Sequence, residues 1–206
     1  MLASALSDYK NAADAIVLAL PRGGVPVAFE VAAALGLCLD VIVVRKLGLP
    51  SQPELAMGAL GPAGVKVLNS AVLNFSSVSE REIESVISRE EKELLRREEL
   101  YRRKAAPLPI QGRRVILIDD GLATGTSMRA AIEVVRRRGA SEIIVGAPVA
   151  ADETAREFEA EGIKMVCLLR PLGLEAVGQW YINFDQVSDS EVLGFLAKDS
   201  LAHKTA

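Results

Sequence analysis

Cysteine and histidine are scarce in this chain: two cysteines and one histidine in 206 residues. Cys38 and Cys167 sit in separate apolar runs, which argues against a disulfide framework or a cysteine-based metal site and predicts buried, inert thiols. His203 lies in a polar C-terminal tail, so histidine acid–base catalysis is not expected. Aromatic residues make up only 4% of the chain, and its net charge is −3. With no basic patch interleaved with aromatics, nothing supports a nucleic-acid surface. Long apolar runs are missing too. The most membrane-like stretch, residues 25–44, is broken by Pro26, Glu30, Gly36 and Asp40 and parses as a helix followed by a strand, not as a membrane span. The N-terminus does not read as a signal peptide, and a cytoplasmic location is the expectation.

Half of the residues are apolar and a quarter are charged, enough for one substantial core without disulfide or metal. Residues 15–20, 41–44, 114–118, 143–147 and 165–169 form short β-branched runs that read as buried parallel strands. Amphipathic segments alternate with them, predicting an α/β fold with a doubly wound, mainly parallel five-stranded sheet. Helices are expected over 25–35, stopped by Gly36, and over 127–138, stopped by Gly139.

The rhythm breaks between residues 47 and 111, where an insertion is predicted. Two short extended runs, 55–60 and 65–68, sit among prolines and glycines and suggest a β-hairpin or flap. A long helix follows, with Ser79 and Glu82 as a capping box and an apolar stripe of Ile83, Val86, Ile87, Leu94 and Tyr101. A bracing helix or subunit contact is the reading of its charge run. The tail beyond Ala197 is expected to fray.

The chemistry concentrates in residues 113–127, where four apolar residues run into Asp119 and Asp120, then Gly121, Leu122, Ala123, Thr124, Gly125, Thr126 and Ser127. In an open α/β sheet, ligands lie beyond the carboxyl ends of the strands, so the two acids emerge where a ligand sits. Carboxylates there can accept hydrogen bonds from vicinal ribose hydroxyls. Residues 123–127 let the backbone approach closely and turn amide N–H groups and hydroxyls toward an anion at a helix N-terminus. No Gly-Lys-Ser/Thr ends the turn, which excludes a Walker loop, and acids ahead of glycines do not match the dinucleotide fingerprint. Two acids that only cap a helix are the competing account. Burying both without cationic or hydroxyl partners makes that account costly.

Residues 115–127 resemble the motif of type I phosphoribosyltransferases that binds 5-phosphoribosyl 1-pyrophosphate (PRPP), with Gly121 standing where that family usually has an aliphatic residue. The order of elements is similar to a bacterial subgroup whose acceptor is undefined. The resemblance implies a PRPP-binding core over residues 1–170, including the insertion 47–111, with residues 171–206 forming a small hood and tail. It implies that Arg22, Gly23 and Gly24 form a pyrophosphate loop, with a strained peptide bond turning N–H groups toward the leaving group. Arg45 and Lys46 are implied as a basic pair on pyrophosphate, and residues 48–54 as a flexible lid. Asp119, Asp120 and Lys46 are the implied catalytic residues. Trp180, Tyr181 and Glu54 are candidate acceptor contacts, with Phe184 available to stack or to pack the hood. The implied reaction is transfer of 5-phosphoribose from PRPP to a nitrogenous acceptor, such as a nucleobase, with release of pyrophosphate. Mg²⁺ is held by PRPP, with Asp119 or Asp120 assisting through water and no direct protein ligand. A homodimer is a family-level expectation. Two alternatives stay open: a PRPP- or nucleotide-sensing regulator without transfer, and a phosphatase or nucleotide-binding protein with a convergent loop.

Overall fold

The structure, a computed structural model, describes residues 1–102 and 107–202, without the side chains of Glu54 and Ala202; His203 lies outside the described residues. In chain order the elements are α1 (Leu2–Ala5), β1 (Ala15–Ala19), α2 (Gly24–Leu35), β2 (Leu39–Val41), β3 (Arg45–Leu49), β4 (Gln52–Gly61), β5 (Val65–Leu68), α3 (Ser70–Phe75), α4 (Glu80–Arg102), β6 (Arg114–Ile118), α5 (Thr126–Arg137), β7 (Glu142–Val149), α6 (Asp152–Ala160), β8 (Lys164–Leu169) and α7 (Asp189–Ala202).

Five strands form a parallel sheet in the order β2-β1-β6-β7-β8. β1 and the last four residues of β6 are buried on both faces, because helices cover each side. One face packs against α1, α2 and α7, the other against α5 and α6, while α4 packs mainly on β3 and β4. The α5 sequence explains its half of this sandwich: Met128, Ala131, Ile132 and Val135 recur at helical spacing and are all buried. Phe158 of α6 is fully buried beside them, and truncating such a side chain in a packed core typically costs about 3–5 kcal/mol.

A separate antiparallel sheet, β3-β4-β5, holds the start of the insertion. The two expected runs are there, as β4 and β5, but the sheet gains a third strand from residues 45–49. The second core strand accordingly ends at Val41 and not at residue 44. The segment anticipated as a flexible lid, residues 48–54, forms the turn of the β3–β4 hairpin and the strand ends beside it, with register shifts on either side of Gly48. A side chain at Gly48 would meet the Pro53 carbonyl oxygen at 2.3 Å, so that bulge requires glycine.

The capping box forms as expected: the Ser79 amide donates to Glu82 Oε2 at 2.9 Å, while the Glu82 amide donates back to Ser79 Oγ at 3.4 Å. Val86, Leu94 and Tyr101 of the predicted stripe are buried. The C-terminal tail departs from expectation, because α7 continues to Ala202. Val192 is fully buried, Phe195 packs on Phe29 of α2 with ring centroids 5.1 Å apart, and the buried Asp199 accepts the Leu39 amide at 3.2 Å. Those contacts outweigh the polar composition that suggests fraying. Among the described residues no helix is long and apolar enough to cross a membrane.

Candidate functional site

β1 and β6 lie side by side at the centre of the sheet, and the chain runs outward from them in opposite directions. Such a switch point leaves a crevice beyond the carboxyl ends of the strands. The loops leaving these strands, residues 20–24 and 119–125, therefore start as neighbours, and the Leu20 amide donates to the Ile118 carbonyl at 2.9 Å. Their contact leaves no room for a side chain on Gly24, and one on Gly23 would have to displace the Asp120 carboxylate. A Cβ on Gly23 would lie 1.7 Å from Asp120 Oδ2, and one on Gly24 would lie 2.6 Å from the Ile118 carbonyl oxygen. The Pro21–Arg22 peptide bond in this loop is cis.

The Asp120 amide donates to Asp119 Oδ1 at 2.9 Å. Burial, and secondarily the charge of Asp120, push the Asp119 carboxyl up to about 8. Asp120 is raised as well, again by burial, although a hydrogen bond from the Gly121 amide opposes the shift. The pair is thus a site of withheld negative charge, which favours ionising when a cation or a set of hydroxyl donors arrives.

After the acids the loop is pinned from outside. The Leu122 amide donates to the Val149 carbonyl at 3.0 Å, and the Ala151 amide donates to the Leu122 carbonyl at 2.8 Å. The buried Thr154 of α6 donates its hydroxyl to the Ala123 carbonyl at 2.5 Å. Gly125 then turns with φ of 66°, against Thr154 and Phe158. Helix α5 begins at Thr126 with no capping side chain, so its first amides point out of the helix without intrahelical partners. Thr124 and Thr126 bring their hydroxyl oxygens to 3.0 Å beside them. Hydroxyls beside uncapped first-turn amides are the groups from which an anion cradle can be built.

The C-terminal segment closes the other side. The Tyr181 hydroxyl donates to the Asp120 carbonyl at 2.6 Å. Burial and then the two acids push that phenol up to about 12, so it remains a donor. Its ring meets Phe184 in a tilted pair at 5.1 Å. A cleft of about 610 Å³ runs between Arg22, Gly23 and Asp120 on the core and Tyr181, Asn183, Phe184, Asp185 and Gln186 on the segment. Trp180, in contrast, ends a 3₁₀ turn at 45% exposure and is not part of the cleft wall; Phe184 holds that place. The departure at Gly121 has its cause here, since a Cβ would lie 2.5 Å from Val177 of the same 3₁₀ turn.

The anticipated basic pair separates. Arg45 and Lys46 are consecutive in strand β3, and consecutive strand residues face opposite sides. Arg45 donates through Nη2 to Glu90 Oε2 of α4 at 2.6 Å and through Nε at 2.9 Å. Lys46 lines a second cavity, of about 420 Å³, together with Thr126 and Arg129 of α5. The structure therefore does not bring Arg45 to the acids, and the opposite faces of the pleat are the reason. Arg22 stays at the cleft, 3.8 Å from Asp189 at the start of α7. Glu54 belongs to β4, and its side chain is outside the described residues. Neither Thr154 nor Val177 carries a chemical signal in the sequence. The long-range partners that give them a role become visible only in the fold.

Residues 1–177 match the family model described as a phosphoribosyl transferase domain. A Mycobacterium tuberculosis protein that carries a provisional phosphoribosyl transferase name is 46% identical over 181 residues, 88% of this chain and 41% of that protein. The chain thus spans about two-fifths of the length of the curated relatives it matches. A crystal structure from Thermus thermophilus superposes with a TM-score of 0.87 at 41% identity, covering 96% of this chain and 93% of that one. A Neisseria gonorrhoeae protein solved with bound ppGpp shares the fold alone, with a TM-score of 0.50, 12% identity, and coverage of 96% of this chain and 88% of that one. With the five-stranded parallel sheet, the paired acids and the uncapped helix start in place, the match over residues 1–177 makes this chain a member of the phosphoribosyl transferase family.

Proposed function

We propose that this chain moves 5-phosphoribose from PRPP to a nitrogenous acceptor and releases pyrophosphate. The observation that carries the reading is the interlock of the 20–24 loop with the acids, which leaves Gly23 and Asp120 on one wall of a cleft that faces aromatic residues. The phosphomonoester of PRPP fits the cradle of residues 123–127. Asp119 and Asp120 accept the ribose hydroxyls, and Arg22 with the Gly23 and Gly24 backbone meets the pyrophosphate. The acceptor lies against Tyr181 and Phe184, on the far side of the ribose from the leaving group.

Displacement at the anomeric carbon builds positive charge on the sugar and negative charge on the departing pyrophosphate. The protein's contribution is positioning and electrostatic stabilisation, without a covalent intermediate. Among the described residues no group of three or more potential ligands could cage a metal. Mg²⁺ would be carried on PRPP oxygens, with Asp119 or Asp120 touching it through water. The ion, when bound, neutralises the leaving group.

The test is pyrophosphate release from PRPP and Mg²⁺ with a panel of purines, pyrimidines and other amines, alongside calorimetric binding of PRPP to the wild type and to Asp119→Asn/Asp120→Asn. Turnover with at least one acceptor, and weakened binding in the variant, is the expected result. Equal PRPP affinities would remove the proposed ribose contacts. One observation favours a second reading, a PRPP sensor without transfer: Arg45, a candidate leaving-group contact, is engaged by Glu90. Tight PRPP binding with no turnover on any acceptor would select it.

A further inference from the structure

We propose that Asp185 makes the acceptor cleft discriminate against acceptors bearing a carboxylate, in favour of uncharged nitrogen heterocycles with N–H or amino donors on their edge. The inference rests on the transferase reading and deepens it.

Its basis is the charge of the cleft wall. The ionisable residues that line it, apart from the Tyr181 phenol, are Arg22, Asp120 and Asp185, two acids against one base. Arg22 already has Asp189 within 3.8 Å, and it belongs to the loop assigned to the leaving group. The one phenol that could donate, Tyr181, spends its hydrogen on the Asp120 carbonyl. A carboxylate carried into this cleft would meet Asp185 with no cation left to pair with it. Like-charge repulsion that no cation offsets then disfavours the anion.

What remains suits a neutral ring. Tyr181 and Phe184 present aromatic faces, with Pro26 and Val27 on the opposite wall. Asn183, Asp185 and Gln186 line the cleft and are all exposed. None of the three makes a side-chain hydrogen bond or ion pair among the described residues. Two amides and a carboxylate offer more accepting than donating capacity, which matches an acceptor whose edge is rich in donors.

The experiment compares adenine, guanine and uracil with orotate and nicotinate. It uses two readouts, pyrophosphate release with PRPP and Mg²⁺, and calorimetric binding of each acceptor to protein saturated with Mg²⁺ and PRPP or, if turnover interferes, ribose 5-phosphate. The neutral set is expected to bind and turn over, with the carboxylated set at least about 100-fold weaker because like charges oppose each other across the cleft. In Asp185→Lys the gap should close or invert; Asp185→Asn should narrow it. Preferential binding of orotate or nicotinate overturns the proposal, as does an unchanged ranking in Asp185→Lys or no binding by either set. Selective binding of the neutral set without any pyrophosphate release supports the acceptor class while sinking the transfer reaction, so the two failures are told apart.

Discussion

Thr154 offers a sharp test of how the proposed anion cradle is built. Its hydroxyl holds the Ala123 carbonyl at 2.5 Å from a residue only 6% exposed. With that carbonyl directed to α6, it cannot present an acceptor to a phosphate in the cradle. Thr154→Val keeps the volume, and therefore the packing on Gly125, but removes the donor. The loop then has two responses. If the carbonyl stays in place it is buried without a partner, which costs about 1–3 kcal/mol of folding free energy. At about 2–4 °C per kcal/mol for a chain of this size, unfolding would shift down by several degrees. If the peptide rotates instead, an oxygen points at the phosphate and an amide is lost. The same range of free energy then appears as about a 5- to 150-fold weaker affinity. Calorimetry with ribose 5-phosphate and thermal unfolding, run on the same preparation, read both responses. Thr154→Ser, which keeps the hydroxyl, should recover most of either loss. Unchanged melting together with unchanged affinity in Thr154→Val would refute the reasoning.

Gly23→Ala should abolish PRPP binding, because the new methyl would occupy the Asp120 carboxylate's position, 1.7 Å from Oδ2; a wild-type affinity by calorimetry contradicts the interlock. Asp119, raised to about 8 by burial, stays protonated in the fold while it ionises near pH 4 in the unfolded chain. Its contribution to stability is full below about pH 4 and is lost as pH rises through about 8. Urea midpoints of the ligand-free protein should therefore fall less with pH over that window in Asp119→Asn than in wild type. PRPP binding with Mg²⁺ at pH 7 should release protons, visible as a binding enthalpy that depends on the buffer. Gly121→Ala should destabilise through its clash with Val177, at 2.5 Å, and the double variant with Val177→Ala should recover part of the loss; strict additivity of the two would exclude direct contact.

The legible parts of this molecule are those in which local pattern and global fold agree. Continuous apolar runs mark the buried strands because both sheet faces are covered. The acids at the end of such a run mark the site because polar groups there need partners. Residues 45–54 escape a sequence reading for a reason of the same kind. In a short stretch holding Arg45, Lys46, Gly48, Pro50 and Pro53, the apolar alternation is only Leu47 and Leu49, too brief to betray a strand. Its pairing is supplied by β4 and tolerates a bulge at Gly48. The tail escapes it because Asp199 looks like a solvent residue until the Leu39 amide is placed beside it.

The Gly121 departure from the family pattern then becomes a statement about how the site is covered. An aliphatic side chain after the acids would stiffen the loop from within, whereas here stiffness comes from without. Val177 fills the space above Gly121, the Tyr181 hydroxyl holds the Asp120 carbonyl, and α7 anchors the segment's far end by packing Phe195 on Phe29. The consequence is coupling: whatever acceptor displaces Tyr181 or Phe184 must also disturb the backbone of the residue assigned to the ribose. Substituting Tyr181 with Phe removes the link while retaining the ring. If the covering segment and the acids act together, this variant should weaken PRPP binding even with no acceptor present. If the segment only contacts the acceptor, PRPP affinity will be unchanged and the acceptor KM alone will move.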